Sequence, residues 1–163
     1  MVNSEKKLEV LGRIGELFNN KEITWAIGAS LLLYFEGITD TFHDIDIMVH
    51  EDDVAKAKEI LLSLGQLCPP NPNAQYTTKY FYEFVIDGVD VDVMAGFTIV
   101  CDGKEYDCSL QKQQIEKYIE MNGVRIPLQS ISLWREYYRL MKRENKVAMI
   151  DNKYTILWQY ECE

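Results

Sequence analysis

The order of apolar and polar positions in the first third of the chain predicts alternating helices and strands. Apolar residues that recur every three or four positions are typical of helices, and runs of β-branched and aromatic residues are typical of strands. In chain order this pattern predicts a helix over 4–19, a strand over 23–27, a short helix over 31–35, a strand over 44–49 and an amphipathic helix over 51–64 that stops at Gly65.

The remaining pattern predicts two hairpins followed by two helices. A proline-rich loop over 69–73 precedes them, because proline is excluded from helix interiors and central strands. The predicted strands are 76–86 and 89–94 around Asp87–Gly88, then 97–101, then 115–121 and 124–128 around Asn122–Gly123. A helix over 111–120 is the alternative for part of the second hairpin. The final helices are marked by Leu133, Tyr137, Leu140 and Met141 after a cap at Ser130 or Ser132, and by Val147, Ile150, Tyr154 and Leu157.

These elements predict one α+β domain with a mixed β-sheet, flanking helices and a C-terminal helical hairpin. No repeat, low-complexity tract or linker divides the 163 residues. We expect residues 1–128 to form the α+β core and residues 129–163 to form a helical extension packed on the same domain.

Composition is that of a soluble globular protein, with 47% hydrophobic and 26% charged residues. No apolar run approaches the roughly 18 residues of a membrane span, and the N-terminus lacks the layout of a secretory signal. We therefore expect a cytoplasmic protein with no membrane partner. Its four cysteines, which show neither zinc-like spacing nor a C-x-x-C motif, are expected to be reduced: Cys68, Cys101, Cys108 and Cys162.

Negative charge is concentrated in the middle of the chain. The formal net charge is −9, but residues 36–107 alone carry 15 acidic and 4 basic side chains. Nonspecific nucleic-acid binding is not expected of a chain without a basic face. An acidic stretch within one folding domain repels itself unless it is solvated or neutralised by cations, so the distribution suggests a metal site.

Two acidic pairs supply the candidate metal ligands: Asp44 with Asp46, and Asp90 with Asp92. Residues two apart in a strand point to the same side, so each pair places two carboxylates on one face and its apolar neighbours on the other. Like charges so placed favour a bound cation, and carboxylate oxygens are ligands that Mg²⁺ prefers. The alternative is that both pairs lie on solvated strand faces.

A small-residue turn and a basic cluster are candidates for binding phosphate. Gly28, Ala29 and Ser30 lie between a predicted strand and helix, where backbone N–H groups and a hydroxyl can contact an anion. Basic residues at helical spacing near the C-terminus could add positive charge, or could simply be a solvated helix surface. They are Arg135, Arg139, Lys142, Arg143 and Lys146.

In this arrangement the sequence resembles the nucleotidyltransferases of the DNA polymerase β type. The matching residues are Ile27-Gly28-Ala29-Ser30, then Asp44-Ile45-Asp46, then Val91-Asp92-Val93. The stretch from Trp25 to Ile47 is most similar to the small antibiotic-modifying members, of the aminoglycoside and lincosamide type. Two departures are that Ala29 splits the usual Gly-Ser doublet and that no Thr-Arg precedes the acidic pair.

The resemblance implies a two-metal Mg²⁺ mechanism with Asp44, Asp46 and Asp92 as metal ligands and catalytic residues. Asp92 would also be the general base, with Asp90 as the alternative third acid. Nucleotide would be bound by Gly28, Ala29 and Ser30, and we expect Lys142 and Arg143 to supply cations for its triphosphate.

The predicted function is therefore transfer of a nucleoside monophosphate from an NTP, with ATP expected, to a hydroxyl of an unidentified acceptor. The alternative is a non-catalytic nucleotidyltransferase-like module, either nucleotide-binding or antitoxin-like and regulatory. A homodimer in which a second subunit completes the cleft is compatible with a chain of this length.

Overall fold

A computed structural model describes residues 2–73 and 75–161, with side chains through Tyr154. The predicted apolar position Leu157 and the thiol of Cys162 lie outside the described side chains, whereas Cys68, Cys101 and Cys108 are free thiols. The helices are α1 (Ser4–Asn20), α2 (Ala29–Phe35), α3 (Val54–Leu64), α4 (Ile131–Leu140) and α5 (Glu144–Glu161). The strands are β1 (Trp25–Ile27), β2 (Ile45–Val49), β3 (Gln66–Leu67), β4 (Tyr80–Ile86), β5 (Val89–Ala95), β6 (Thr98–Cys101), β7 (Lys104–Asp107), β8 (Ile115–Met121) and β9 (Val124–Gln129).

Seven strands form one mixed sheet in the order β3-β4-β5-β2-β1-β9-β8. The pairs β2–β5 and β1–β9 are parallel, and the other neighbours are antiparallel. Strands β6 and β7 form a separate hairpin. The α+β class, the mixed sheet and the C-terminal pair of helices are therefore confirmed.

Several predicted boundaries move by a few residues. Helix α2 already starts at Ala29, the predicted strand over 44–49 starts at Ile45, and a 3₁₀ turn over Glu51–Asp53 precedes α3. The predicted strand over 76–86 joins the sheet only at Tyr80, because the N–H groups of Thr77 and Lys79 donate to the carbonyls of Thr98 and Gly96. The boundary between 1–128 and 129–163 stays a prediction.

The alternative helix over 111–120 is wrong, whereas both predicted hairpin turns form. Only Lys112–Gln114 is helical, as one 3₁₀ turn, and Ile115–Met121 pairs with β9 as a strand. At Asp87–Gly88 and Asn122–Gly123 both central residues have positive φ, the backbone that two-residue hairpins require. Ser130 caps α4 by accepting a hydrogen bond from the N–H of Leu133 at 3.4 Å.

One hydrophobic core holds the sheet and its helices together. Alternation in the two central parallel strands is as predicted, since Ile45, Ile47, Val91 and Val93 are fully buried. Helices α1 and α3 contact each other and pack against the sheet, and α4 contacts α2, α5 and β6. Over the described residues, no helix combines the length and the apolar character that crossing a bilayer requires.

Replacing Gly65 by Ala is expected to lower the free energy of unfolding by about 1–3 kcal/mol through steric overlap. A Cβ at this helix end would lie 2.3 Å from the carbonyl oxygen of Val85, a backbone atom that cannot move aside. Denaturant unfolding followed by circular dichroism measures the change.

Gly12→Ala is the matched control, because its new Cβ would meet only a methyl group of Met121 at 3.8 Å. In the interior of α1 this change should stabilise by about 0.5–1 kcal/mol through helix propensity. Equal effects of the two substitutions would contradict the steric account.

Candidate active site

Two aspartates lie directly opposite each other in the parallel pair β2–β5. In this register Ile45 faces Val91 and Asp46 faces Asp92. The N–H of Gly28, immediately after β1, donates to the carbonyl oxygen of Asp46 at 3.1 Å. The small-residue turn and one aspartate from each predicted pair therefore lie in one row across the sheet.

Burial and repulsion between neighbouring carboxylates raise the pKa of three of the predicted aspartates: Asp44, Asp46 and Asp92. The pKa of Asp46 is raised well above its usual value by burial and then by Asp92 and Asp44. For Asp92, burial followed by Asp44, Glu83 and Asp90 raises the pKa to about 7. The pKa of Asp44 is raised by burial and then by Asp90. The four predicted acids thus interact electrostatically as one group.

Position on β5 separates the two candidates for the third acid. Asp92 is half-buried and lies opposite Asp46, whereas Asp90 is exposed. Asp90 is two residues further from the row that contains Gly28. The geometry thus favours Asp92 over Asp90.

Glu83 is a further carboxylate that sequence reasoning missed. It lies opposite Asp92 on β4, so that Glu83, Asp92 and Asp46 occupy the same level on three neighbouring strands. The sequence did contain a signal for this position of Glu83. A two-residue turn at Asp87–Gly88 pairs Ile86 with Val89, and three positions further from the turn on each strand it pairs Glu83 with Asp92.

The turn between β1 and α2 is held by contacts from distant elements. A Cβ at Gly28 would lie 2.4 Å from Cζ2 of the Trp134 indole, so only glycine fits beneath that ring. Ala29 has a φ of 52°, an uncommon left-handed conformation for alanine. The hydroxyl of Ser30 accepts a hydrogen bond from the N–H of His43 at 3.3 Å, which ties the turn to the segment before Asp44.

Trp134 and Gln129 support this turn; the aromatic residues of α4 could be predicted to line a pocket or the core, but neither the contact of Trp134 with Gly28 nor the role of Gln129 was predicted. The indole Nε1–H of Trp134 donates to Oε1 of Gln129 at 2.8 Å. Gln129 is 1% exposed, and within the described structure its Nε2 has no hydrogen-bond partner. These residues come together only through folding, because α4 and β1 are far apart in sequence.

A cavity of about 240 Å³ opens beside the aspartates and combines acidic, aromatic and basic groups. Its walls include Ala29, Asp46 and Asp92 on the sheet side, and Trp134, Tyr138 and Arg143 on the helical side. We call it the first cavity. The guanidinium of Arg143 lies 5.3 Å from the ring centre of Tyr138.

Three members of the predicted basic cluster form ion pairs with acidic side chains. Arg135 binds Asp151, Arg139 binds Glu136, and Lys142 binds Asp102 at 2.6 Å. Of the predicted nucleotide-binding cations, Arg143 therefore lines the first cavity, and Lys142 faces a different partner. Lys142 lies between α4 and α5 and has a φ of 60°, in the left-handed region.

Comparison with solved structures gives matches along nearly the whole chain. A Thermotoga maritima protein, assigned provisionally as a nucleotidyltransferase, has a TM-score of 0.73 and 21% identity over 94% of this chain and 96% of its own. ANT(2'')-Ia in complex with adenylyl-2''-tobramycin has a TM-score of 0.61 and 12% identity, covering 91% and 89% respectively. LnuA, a lincosamide antibiotic adenylyltransferase bound to lincomycin, has a TM-score of 0.60 and 13% identity, covering 92% and 97%.

This chain has the nucleotidyltransferase fold. The predicted resemblance is thereby confirmed at the level of the fold. No protein-family model matches the sequence, and no curated protein matches it. The activity is therefore argued from the site itself.

The nucleotidyltransferase fold implies a divalent metal, and the carboxylates fit one by chemical type. Within residues 2–73 and 75–161, no three His, Cys, Asp or Glu side chains are arranged so that they could hold a metal ion. Mg²⁺ nevertheless takes hard oxygen ligands and often needs only one or two carboxylates from the protein. Asp46 and Asp92, opposite each other on neighbouring strands, form such a pair, and burial followed by repulsion from nearby carboxylates raises the pKa of both.

Asp92→Asn is expected to stabilise the metal-free protein, and increasingly so as the pH rises. The pKa of Asp92 is raised from about 3.8 to about 7 in the fold, so its ionisation costs stability progressively across that interval. The variant lacks this cost. The free energy of unfolding of the variant should equal that of the wild type below pH 4 and exceed it by about 1–2 kcal/mol above pH 7, allowing for solvent screening of a half-buried group.

Thermal unfolding in EDTA at several pH values measures this gain. Asp90→Asn, an exposed change on the same strand, is the control and should have a much smaller effect. A gain for Asp92→Asn that does not depend on pH would contradict the electrostatic cause.

Proposed function

We propose that this protein is a nucleotidyltransferase that moves a nucleoside monophosphate from an NTP, ATP in the first instance, to a hydroxyl of an acceptor. One observation carries the proposal: Asp46 and Asp92 lie opposite each other on parallel strands, in the row that includes Gly28. A fold shared with two antibiotic adenylyltransferases supports the same assignment.

The first cavity would bind the nucleotide. Its aromatic wall, formed by Trp134, Tyr138 and Phe97, offers flat surfaces for a base or ribose. Arg143 offers a permanent positive charge for the triphosphate. Gly28, Ala29 and Ser30 would contact its phosphates, because Trp134 and the bond from His43 hold this turn beside Asp46.

From the set Asp44, Asp46 and Asp92, one or two carboxylates would hold each Mg²⁺ ion, and Mg²⁺ would supply charge neutralisation at the phosphates and lower the pKa of the acceptor hydroxyl. The need for such a cation follows from the clustered carboxylates, which repel one another and also repel a triphosphate. Asp46 lies between Gly28 and Asp92 in the row across the sheet, so its carboxylate is the one placed closest to both the turn and the second strand.

In the proposed reaction the acceptor oxygen attacks the α-phosphorus. A new P–O bond forms, the bond from this phosphorus to the bridging oxygen of pyrophosphate breaks, and pyrophosphate leaves. A carboxylate oxygen of Asp92 takes the proton of the acceptor hydroxyl. Arg143 would bind the negative charge that remains on the leaving group.

Asp46→Asn and Asp92→Asn are each expected to weaken Mg²⁺-dependent ATP binding at least about tenfold, as loss of a charged ligand predicts. Isothermal titration with and without Mg²⁺ measures the change. Asp90→Asn is the matched control on β5 and should retain affinity within about twofold, because its carboxylate is exposed and outside the row. Equal losses in all three variants would argue against the assigned site.

Arg143→Gln is expected to weaken ATP binding about tenfold through loss of a charged hydrogen-bonding group. Arg139→Gln removes the same charge from the same helical region, but Arg139 is bound to Glu136 and does not line the cavity. It should therefore leave affinity unchanged in the same titration. A larger effect at Arg139 would assign the triphosphate to a different surface.

Catalysis itself is tested by pyrophosphate release from labelled ATP in the presence of hydroxyl acceptors. Tobramycin and lincomycin are the first acceptors to try, as the compounds seen with ANT(2'')-Ia and LnuA. Mg²⁺-dependent ATP binding without pyrophosphate release across a broad acceptor screen would instead favour the non-catalytic module.

A further inference from the structure

Gln129 is a buried amide whose two ends are in different situations. Its side chain is 1% exposed, and its Oε1 accepts the indole N–H of Trp134 at 2.8 Å. Among the side chains described, its Nε2 has no hydrogen-bond partner. A buried donor without a partner lowers stability, so packing alone would favour an apolar side chain at this position.

A second tryptophan, Trp25, is held by an amide whose two ends are both paired. The Nε1–H of Trp25 donates to Oδ1 of Asn19 at 3.0 Å, and Nδ2 of Asn19 donates to the carbonyl oxygen of Arg125 at 2.8 Å. Gln129 makes the same kind of bond to a tryptophan, but at a position where its donor end is left unpaired. The difference suggests that Gln129 does more than satisfy an indole N–H.

The hydrogen bond from Trp134 to Gln129 fixes which edge of the indole ring lies on Gly28. A Cβ added to Gly28 would lie 2.7 Å from Cε2 and 2.8 Å from Nε1 of the indole, so the edge that donates to Gln129 is also the edge that covers Gly28. Apolar ring contacts do not distinguish one edge from the other, whereas a hydrogen bond is directional. Three aromatic side chains supply such contacts: Phe97, Tyr137 and Tyr138.

Gln129 lies beside the candidate site but outside its cavity. Ile27 pairs with Leu128 in the parallel pair β1–β9, so Gly28 and Gln129 are the next residues of the two segments. Trp134 lines the first cavity, whereas Gln129 is not among the described residues that line it. An effect of Gln129 on a bound nucleotide would therefore have to pass through Trp134.

We propose that Gln129 is a positioning residue for the nucleotide and that it acts only through Trp134. This inference rests on the proposed function. By holding one edge of the indole on Gly28, Gln129 keeps the turn beside Asp46 and keeps the ring oriented in the wall of the first cavity. The unpaired Nε2 is the cost in stability at which this orientation is maintained.

The test applies the same substitution to the two amides. Binding of a non-hydrolysable ATP analogue with Mg²⁺ is measured by isothermal titration, and the thermal midpoint of unfolding (Tm) is measured by circular dichroism. Gln129→Leu is expected to weaken binding about fivefold, within the range by which a residue that does not contact the ligand changes affinity. Asn19→Leu, the matched control, should retain the wild-type affinity within about twofold.

The two variants should differ in stability in the opposite sense. Gln129→Leu exchanges one unpaired buried donor, Nε2, for another, the indole N–H of Trp134, so its Tm should stay within about 2 °C of the wild type. Asn19→Leu leaves the buried indole N–H of Trp25 unpaired where no such donor was unpaired before, and should lower Tm by about 2–4 °C. If Gln129 were only structural, affinity would fall together with stability.

A double-mutant cycle tests whether Gln129 acts through Trp134 alone. Trp134→Phe keeps an aromatic ring but has no N–H to orient. In this background Gln129→Leu should change the affinity less than about twofold. In proton–nitrogen NMR spectra the indole N–H of Trp134, identified by its loss in Trp134→Phe, should exchange faster with solvent in Gln129→Leu, whereas the signal of Trp25 should not change.

Unchanged affinity in Gln129→Leu, or an equal loss in Asn19→Leu, would overturn the inference. A loss that persists in full in the Trp134→Phe background would overturn it as well, because Gln129 would then act by another route. Gln129→Met, which matches the length of glutamine, is used if the leucine variant does not fold. If neither variant folds, Gln129 is a structural requirement and the inference is wrong.

Titration of the wild-type protein separates this inference from the proposed function. It is carried out first, in the same buffer. Failure of the ATP analogue to bind the wild type refutes the proposed function. Wild-type binding with unchanged affinity in Gln129→Leu refutes this inference alone.

Discussion

The parallel pairing of β2 with β5 is the constraint on which the site depends. Ile45, Ile47, Val91 and Val93 are buried on one side of these strands, and this burial fixes the opposite face as the one on which Asp46 and Asp92 lie. A slip of one residue would turn the aspartates into the core and the isoleucines and valines outward, which is strongly unfavourable. The hydrophobic core thereby holds like charges together that would otherwise separate.

The repulsion among the carboxylates of β2 and β5 is offset by the burial of their apolar neighbours in the hydrophobic core. The raised pKa of Asp92 reflects the cost of burying a carboxylate and of placing it beside others on neighbouring strands, and such perturbed groups cluster at functional sites. A positive side chain, Arg143, lies beside the aspartates on one side, and a negative one, Glu83, lies beside them on the other.

Much of this architecture could be predicted because its signals are local. Strand alternation around the two acidic pairs, the turns at Asp87–Gly88 and Asn122–Gly123, and the helix after Ser130 all depend on neighbouring residues. Glu83 was missed, although counting back from the turn at Asp87–Gly88 pairs it with Asp92. The contact of Trp134 with Gly28 and its hydrogen bond to Gln129 could not be found in this way, because they join α4, β9 and the end of β1.

The sequence by itself determined the faces of the strands and the positions of the turns, since both follow from periodicity and from the backbone preferences of a few residues. The tertiary structure decided that Asp92, and not Asp90, lies opposite Asp46, and that Arg143, and not Lys142, lines the first cavity. Helical spacing does not distinguish Arg143 from the adjacent Lys142, and strand alternation does not distinguish Asp92 from Asp90, because both point to the same side of the strand. Only the packing of segments distant in the chain distinguishes them, because it sets which neighbour each side chain meets.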